Sequence, residues 1–172
     1  MNYYFHGKKN LYEEVFIRRV KIITKQRISR LEEGLFAEQS QVSLESLIRS
    51  FVEIFLEPFF KDGSGKNLMR LMMHERYDPH LPKGLFLNEV IKPVRNTMRQ
   101  ALLVLCPELK RVDADLCLHS IVAQLLNLIQ AQDLFKDSDK KEIPLLDIEK
   151  SISHIVKFSS GGIRQCLIDI KG

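Results

Sequence analysis

The sequence predicts an all-α protein, a helical bundle built from five long helices and one short one. Apolar residues recur at spacings of three and four along every long segment, and no segment alternates as a half-buried strand does. The segments between them are short and rich in Gly, Pro or charged residues, which end helices. A length of 172 residues, 45% of them hydrophobic, fits one domain with a sizeable core.

The first part of the chain is predicted to form two long helices. One runs from Lys9 to about Leu35 and is stopped near Gly34. Its inward-facing residues are expected to be Leu11, Tyr12, Val15, Phe16, Val20, Ile23 and Leu31. Ser43 is expected to cap the second helix, and Pro58 to disturb its last turn. The apolar stripe of that helix is Leu44, Leu47, Ile48, Phe51, Val52, Phe55 and Phe59.

The middle of the chain is predicted to contain a short helix and a longer kinked one. A turn over 61–65 precedes the short helix, which is expected over 67–77. Residues 77–84 are irregular because two prolines remove backbone donors and restrict the backbone. The longer helix is predicted over 85–105, with a kink at Pro93.

The last two predicted helices lie on either side of a charged loop over 136–142. One begins at Asp113 as its N-cap and ends near Phe135, and it is apolar nearly all round, which indicates burial on more than one side. Asp147 opens the other. The stripe of this final helix is Ile148, Ile152, Ile155, Val156, Ser159, Ile163, Cys166, Leu167 and Ile170.

Several functional classes are disfavoured by the sequence. No stretch approaches the roughly 20 apolar residues that span a bilayer, and the N-terminus has no signal arrangement, so a cytoplasmic protein without a membrane partner is expected. The three cysteines are expected to be reduced, buried thiols. The five histidines are scattered, the segment Gly63–Lys66 does not fit a phosphate loop, and no nucleophile motif occurs. We therefore expect no metal, no cofactor and no enzymatic activity.

Positive charge is concentrated at the N-terminal end. Residues 1–34 contain eight Lys and Arg against four Glu, an excess equal to the net charge of +4 of the whole chain. Such a stripe is typical of a surface that contacts phosphates, but a solvated helix face with Glu–Lys pairs would look the same.

The N-terminal string Tyr3-Tyr-Phe-His-Gly-Lys-Lys-Asn-Leu-Tyr12 resembles a junction in tetracycline-repressor (TetR) family regulators, with Phe5 and His6 in reversed order. In that family the recognition helix of a helix-turn-helix ends here and a long helix begins. The resemblance implies that residues 1–8 are a remnant of the DNA-binding domain, most of which this chain lacks, and that residues 9–172 form the regulatory ligand-binding and dimerisation domain. It also implies that Tyr3, Tyr4 and Lys9 contact DNA phosphates. Contacts of this kind fix the position of a protein on DNA without reading the base sequence.

Two later segments resemble the CecR-like branch of the same family. One is Asp78-Pro-His-Leu-Pro-Lys-Gly-Leu-Phe86 together with Val90-Ile-Lys-Pro-Val94, and the other is His154-Ile-Val-Lys-Phe-Ser-Ser-Gly-Gly-Ile-Arg164. The resemblance then covers nearly all of the chain and implies the all-α regulatory fold of this family.

Candidate site residues fall into two groups. A ligand pocket is expected from Phe55, Met69, Met72, Met98, His119 and Asn127. Methionine suits a pocket for varied ligands, although core packing is the commoner explanation of a methionine cluster. A dimer interface is expected from Ala123, Gln130, Ile155, Gly161 and Gly162. The polar line that contains His119, Asn127 and Gln130 fits a pocket, a dimer seam or satisfied core groups.

The function implied by the resemblance is transcriptional regulation, and repression in particular. A homodimer would bind a small, largely apolar effector, and the first long helix would pass the change to the DNA-reading heads on operator DNA. The alternative is a ligand-binding and dimerisation module without DNA binding of its own, either a truncated form or a dominant-negative partner. A free-standing helical carrier is a third class.

Overall fold

The protein is described here from a computed structural model. The structure describes residues 8–36, 42–60, 65–67, 69–70, 81–82, 84–85, 87–135, 137–139 and 143–168. Five long α-helices lie in these ranges: α1 (Lys8–Phe36), α2 (Leu44–Phe60), α3 (Lys92–Leu105), α4 (Arg111–Leu134) and α5 (Ile148–Ile168). A π-helical turn (Leu87–Ile91) precedes α3, and a 3-10 turn (Pro144–Leu146) precedes α5. The described part contains no strand, which confirms the predicted all-α bundle.

The ends of several helices follow from local capping. The backbone N–H of Ser46 donates to Ser43 Oγ at 3.1 Å, and that of Lys150 donates to Asp147 Oδ1 at 3.1 Å. Both bonds satisfy amides that a helix start leaves without partners, so the predicted caps at these two positions are confirmed. The prediction that Asp113 caps α4 is wrong. The helix already begins at Arg111, and Asp113 lies in its first turn, where the helix dipole favours a carboxylate.

The predicted kinked helix over 85–105 is two elements. The turn Leu87–Ile91 is π-helical, and α3 begins at Lys92 with Pro93 in its first turn. Proline has no backbone N–H, so it fits the first turn of a helix, where that donor has no partner in any case. Of the predicted short helix over 67–77, residues 67, 69 and 70 are helical, as are 65 and 66 before it, and residues 68 and 71–77 lie outside the described residues.

The hydrophobic core is centred on α2, which packs against α1, α4 and α5. Core side chains include Ile48, Val52, Leu102, Leu125 and Ile163, each no more than 1% exposed. The three phenylalanines on one face of α2, at 51, 55 and 59, contact one another with ring centroids 6.1 and 6.2 Å apart. Pro58 stays within the helix, which continues to Phe60.

The first helix buries a different face from the one predicted at its start. Phe16 and Val20 are buried and pack with Val90 in a small second cluster, as expected. Leu11 and Val15 are instead 40% and 57% exposed. At 3.6 residues per turn, Val15 points about 100° away from Phe16, which follows it, and Leu11, five residues before Phe16, points about 140° away from it. The inward assignment of these two residues is therefore wrong.

The helix α4 is unusually apolar. Among the described residues it is the one helix whose length and composition would allow it to cross a membrane, with a mean hydropathy of 1.4 over an 18-residue window of which 33% is buried. This differs from the expectation that no such segment exists. One helix of this kind is weak evidence for a span, because a helix that packs on two sides has the same composition.

Candidate functional site

A groove of about 940 Å³ lies between α1 and α2. Its lining combines an apolar floor with four basic and two acidic side chains. The lining residues are Arg19, Ile22, Ile23, Lys25, Gln26, Arg27, Ser29, Arg30, Glu33, Ile54, Glu57 and Pro58. A volume in this range accommodates a small organic ligand.

Arg27 is the buried cation of this groove, with only 8% of the residue exposed. Its Nη2 donates to the backbone carbonyl of Phe55 at 3.3 Å, and its guanidinium carbon lies 5.1 Å from the centre of the Phe55 ring. Its Nε is buried and donates to no acceptor in the described part of the chain. Desolvation by burial lowers the pKa of Arg27 to about 10.

No carboxylate of the described residues forms an ion pair with Arg27. Of the two acids in the groove, Glu57 pairs with Arg30, and Glu33 accepts a hydrogen bond from Ser29 Oγ at 2.8 Å. Thr24, one helical turn before Arg27 and 5% exposed, also has a buried hydroxyl without a described partner. The two unsatisfied groups therefore lie side by side on α1.

The five described residues of the predicted pocket do not line one cavity. Phe55 is half-buried and lies against Arg27, and Met98 is 1% exposed within the core. Met69 is half-buried and packs against that core, whereas Met72 lies outside the described residues. The other two, His119 and Asn127, are exposed on α4, so they do not face Met98.

The outer surface formed by α4 and α5 is a second candidate site, called here the outer face. On each helix its exposed residues recur at spacings of three and four, so they lie in one stripe. They are Val112, Leu116, His119, Ala123, Asn127, Gln130 and Leu134 on α4, and His154, Phe158, Gly161, Gln165 and Ile168 on α5. Five are large apolar residues between 59% and 74% exposed.

The glycines of α5 have no packing partner in the part of the chain that the structure describes. A Cβ atom at Gly161 or Gly162 would have nothing within 4 Å. The rings of His154 and Phe158 stack one turn earlier, with centroids 6.0 Å apart. Ile155, the remaining predicted interface residue on this helix, is 5% exposed and belongs to the core. The exposed residues thus leave a flat, open strip along α5.

Of the three residues predicted to contact DNA, the structure describes the position of one. Tyr3 and Tyr4 lie outside the described residues, and Lys9 lies in the first turn of α1. Part of the basic excess of this segment serves the fold instead. Lys21 Nζ lies 3.3 Å from Glu89 Oε2, and Arg30 pairs with Glu57 on α2.

Other reactive groups do not form a site. Cys106, Cys117 and Cys166 are free thiols, and the last two form a side-chain hydrogen bond between α4 and α5. Burial, with the neighbouring Cys166 thiol, raises the pKa of Cys117 to about 11, which disfavours the nucleophilic thiolate. No group of three potential metal ligands occurs among the described residues.

Sequence reasoning missed Arg27 and Thr24, although the signal was present. Arg27 lies seven residues after Val20 and four before Leu31, both of which were predicted to face inward. A cation in register with an apolar stripe is an informative exception, because buried arginines are normally paired.

The chain was compared with known proteins. Residues 45–162 match the family described as the tetracyclin repressor-like, C-terminal domain. No curated protein sequence matches the chain significantly, and no solved structure does either. The match covers more than half of the chain, spanning α2 to α4 and most of α5, so this protein belongs to the TetR family and contains its all-α regulatory domain.

Proposed function

We propose that this protein is a cytoplasmic, homodimeric regulator of the TetR type, in which binding of a small effector controls operator DNA binding. The observation that carries the dimer is the exposed apolar outer face. Five large apolar side chains and Gly161 line the same surface of α4 and α5. Exposed apolar patches of this kind mark interaction surfaces.

The glycines favour a second copy of the same chain as the partner. A glycine pair within a helix costs about 1 kcal/mol per residue relative to alanine. Since no described residue approaches either glycine, close approach of another helix offsets that cost. A two-fold axis through this strip would pair α4 and α5 with their copies in a four-helix interface. Such an interface uses the same surface on both subunits, as a two-fold dimer requires.

Effector binding is assigned to the groove between α1 and α2. One wall of this groove is α1, a continuous helix of 29 residues whose first turn contains Lys9. A ligand that shifts α1 at the groove would also move its N-terminal end. In an intact form, the two reading heads must lie about 34 Å apart to meet successive major grooves, so a small change in their separation reduces DNA binding. We propose repression as the outcome.

The dimer is tested by sedimentation equilibrium of the wild type, Gly161→Leu and Gln100→Leu. The wild type is expected to be a dimer, and Gly161→Leu a folded monomer, because the added side chain projects from the open strip where the partner helix would lie. Gln100→Leu is the matched control, since it places the same side chain at an exposed position of α3 outside the outer face. A monomeric wild type, or a Gly161→Leu variant that remains dimeric, would contradict this interface.

DNA binding is tested separately by gel shift at low salt with candidate operators. Retardation by this chain supports the regulator directly. If this chain binds none, the alternative of a ligand-binding and dimerisation module stands, and mixing with an intact relative distinguishes a dominant-negative partner from a carrier. Residues 1–8 are proposed to join the reading head in an intact form.

A further inference from the structure

We propose that the groove between α1 and α2 binds an amphipathic organic anion, and that Arg27 binds its carboxylate or phosphate group. This inference rests on the proposed effector-binding function and specifies the chemical class of the effector.

Arg27 is charged, buried and incompletely bonded. Proteins almost never bury an arginine completely without a counter-ion, because the lost hydration is not recovered. Within the described part of the protomer, Arg27 has one carbonyl acceptor and one aromatic ring. Its Nε and the neighbouring Thr24 hydroxyl have no partner. A bound anion in the groove that Arg27 lines would supply the missing charge.

The shape of the guanidinium selects the kind of anion. Its N–H groups lie in one plane and form a fork that matches two oxygens of a carboxylate or phosphate. Nη2 already donates to the Phe55 carbonyl, and the buried Nε has no described acceptor. Both anion types can accept from two N–H groups of a guanidinium, so the shared chemistry is an oxyanion with two oxygens.

The groove walls select the remainder of the ligand. Ile22, Ile23, Ile54 and Pro58 provide an apolar surface beside the buried cation. The basic side chains of the lining outnumber the acidic ones, which favours an anion over a cation before any contact forms. A neutral hydrocarbon would leave Arg27 without a counter-ion. A polyanion such as nucleic acid has a charged backbone, and placing that backbone against this apolar surface would remove its hydration.

The test is isothermal titration calorimetry of the full chain with three probes that share one tail: octanoate, octyl phosphate and octanol. We expect both anions to bind more tightly than octanol, by about ten- to hundredfold, which is the worth of a charge-assisted hydrogen bond. The two anion arms distinguish a carboxylate effector from a phosphate effector. In Arg27→Met this preference is expected to disappear while octanol binding is kept.

Two further variants control for charge and for folding. Arg19→Met removes an exposed cation from the same groove, so it changes net charge equally and is expected to keep most of the anion preference. Arg27→Lys keeps the charge without the planar fork and is expected to reduce anion affinity by less than Arg27→Met. Far-ultraviolet circular dichroism and a cooperative melt establish that each variant is folded.

The inference is overturned if octanol binds as tightly as the anions, if no probe binds, or if folded Arg27→Met retains the preference. The first of these results would leave the proposed effector-binding function intact with a neutral ligand. Conversely, anion binding that depends on Arg27, without any effect of octanoate or octyl phosphate on the operator complex of an intact relative, would support the site and remove the regulatory function.

Discussion

Two buried arginines, Arg99 and Arg27, occupy opposite kinds of environment. They are 7% and 8% exposed. Arg99 Nη1 donates to both carboxylate oxygens of Asp115 at 3.0 and 3.1 Å, and its Nη2 donates to Asn96 Oδ1 at 2.8 Å. Arg27 has only the Phe55 carbonyl and ring, with Nε left without a described partner. Equal burial therefore hides a large difference in how well each charge is compensated.

The difference separates a structural charge from one suited to a ligand. The Arg99–Asp115 pair joins α3 to α4 and is complete within the protomer. Arg27 lies on the helix that lines the groove, where its deficit can be removed only by a group from outside the described residues. Natural proteins tolerate such locally unfavourable arrangements chiefly where function requires them.

The largest effect is expected from Arg99→Met. The substitution leaves Asp115 without its bidentate partner, and breaking a buried pair by removing one member destabilises a protein by about 3–5 kcal/mol. Asp115 is 32% exposed and Arg95 Nε lies 3.8 Å from it, so water and a second cation partly compensate its charge. We therefore expect the free energy of unfolding to fall by about 3 kcal/mol, the low end of this range. Urea denaturation of wild type and variant measures it.

A double variant, Arg99→Met with Asp115→Leu, sharpens this result. Removing both charges should recover much of the loss, because no buried charge is then left without a partner. If the single variant unfolds at the same urea concentration as the wild type, the pair does not stabilise the fold, and the comparison between the two arginines fails.

The opposite sign is expected for Arg27→Met in the ligand-free protein. Methionine fills similar space beside Phe55 without the desolvation cost, so the free energy of unfolding should rise by about 1–2 kcal/mol. Part of the gain is offset by loss of the contact between the cation and the ring, which is worth about 0.5–2 kcal/mol. Urea denaturation in buffer without organic anions gives the value.

A destabilised Arg27→Met variant would show that the charge is already compensated in the free protein. Arg30→Met provides the reference for an ordinary cation of the same helix, since Arg30 is exposed and pairs with Glu57. Its effect should stay within about 1 kcal/mol, as is usual for surface ion pairs.

The fold was predictable from the sequence because helical periodicity is a local property. The spacing of apolar residues in α2 and α5 placed both helices to within a residue or two, and short polar side chains before them identified Ser43 and Asp147 as caps. The start of α1 was mispredicted at Leu11 and Val15, because spacing alone does not tell which of two apolar faces meets a neighbour.

The candidate groove could be predicted only in part. Phe55 was predicted to line a pocket; it does not line the groove but contacts Arg27, which is 28 residues away on another helix. Whether this arginine has a carboxylate partner depends on tertiary packing, which the spacing of apolar residues in the sequence does not reveal. Similarly, His119 and Asn127 share a helical face with Ala123, and only the packed structure shows that this face is exposed.

The smallest effect concerns pH. Burial lowers the pKa of Arg27 to about 10 in the folded protein, below its value in the unfolded chain, so above pH ~10 the unfolded state binds more protons. The wild type should therefore gain stability relative to Arg27→Met as pH rises through this window, and the excess stability of the variant should shrink. Between pH ~9 and pH ~10.5 the expected change is about 1 kcal/mol, while below pH ~9 the difference should be constant. Paired urea titrations at several pH values isolate this term, because lysines and tyrosines common to both proteins cancel. A difference that does not change with pH would mean that the guanidinium stays charged and is compensated in the folded state, which would place Arg27 in the same category as Arg99.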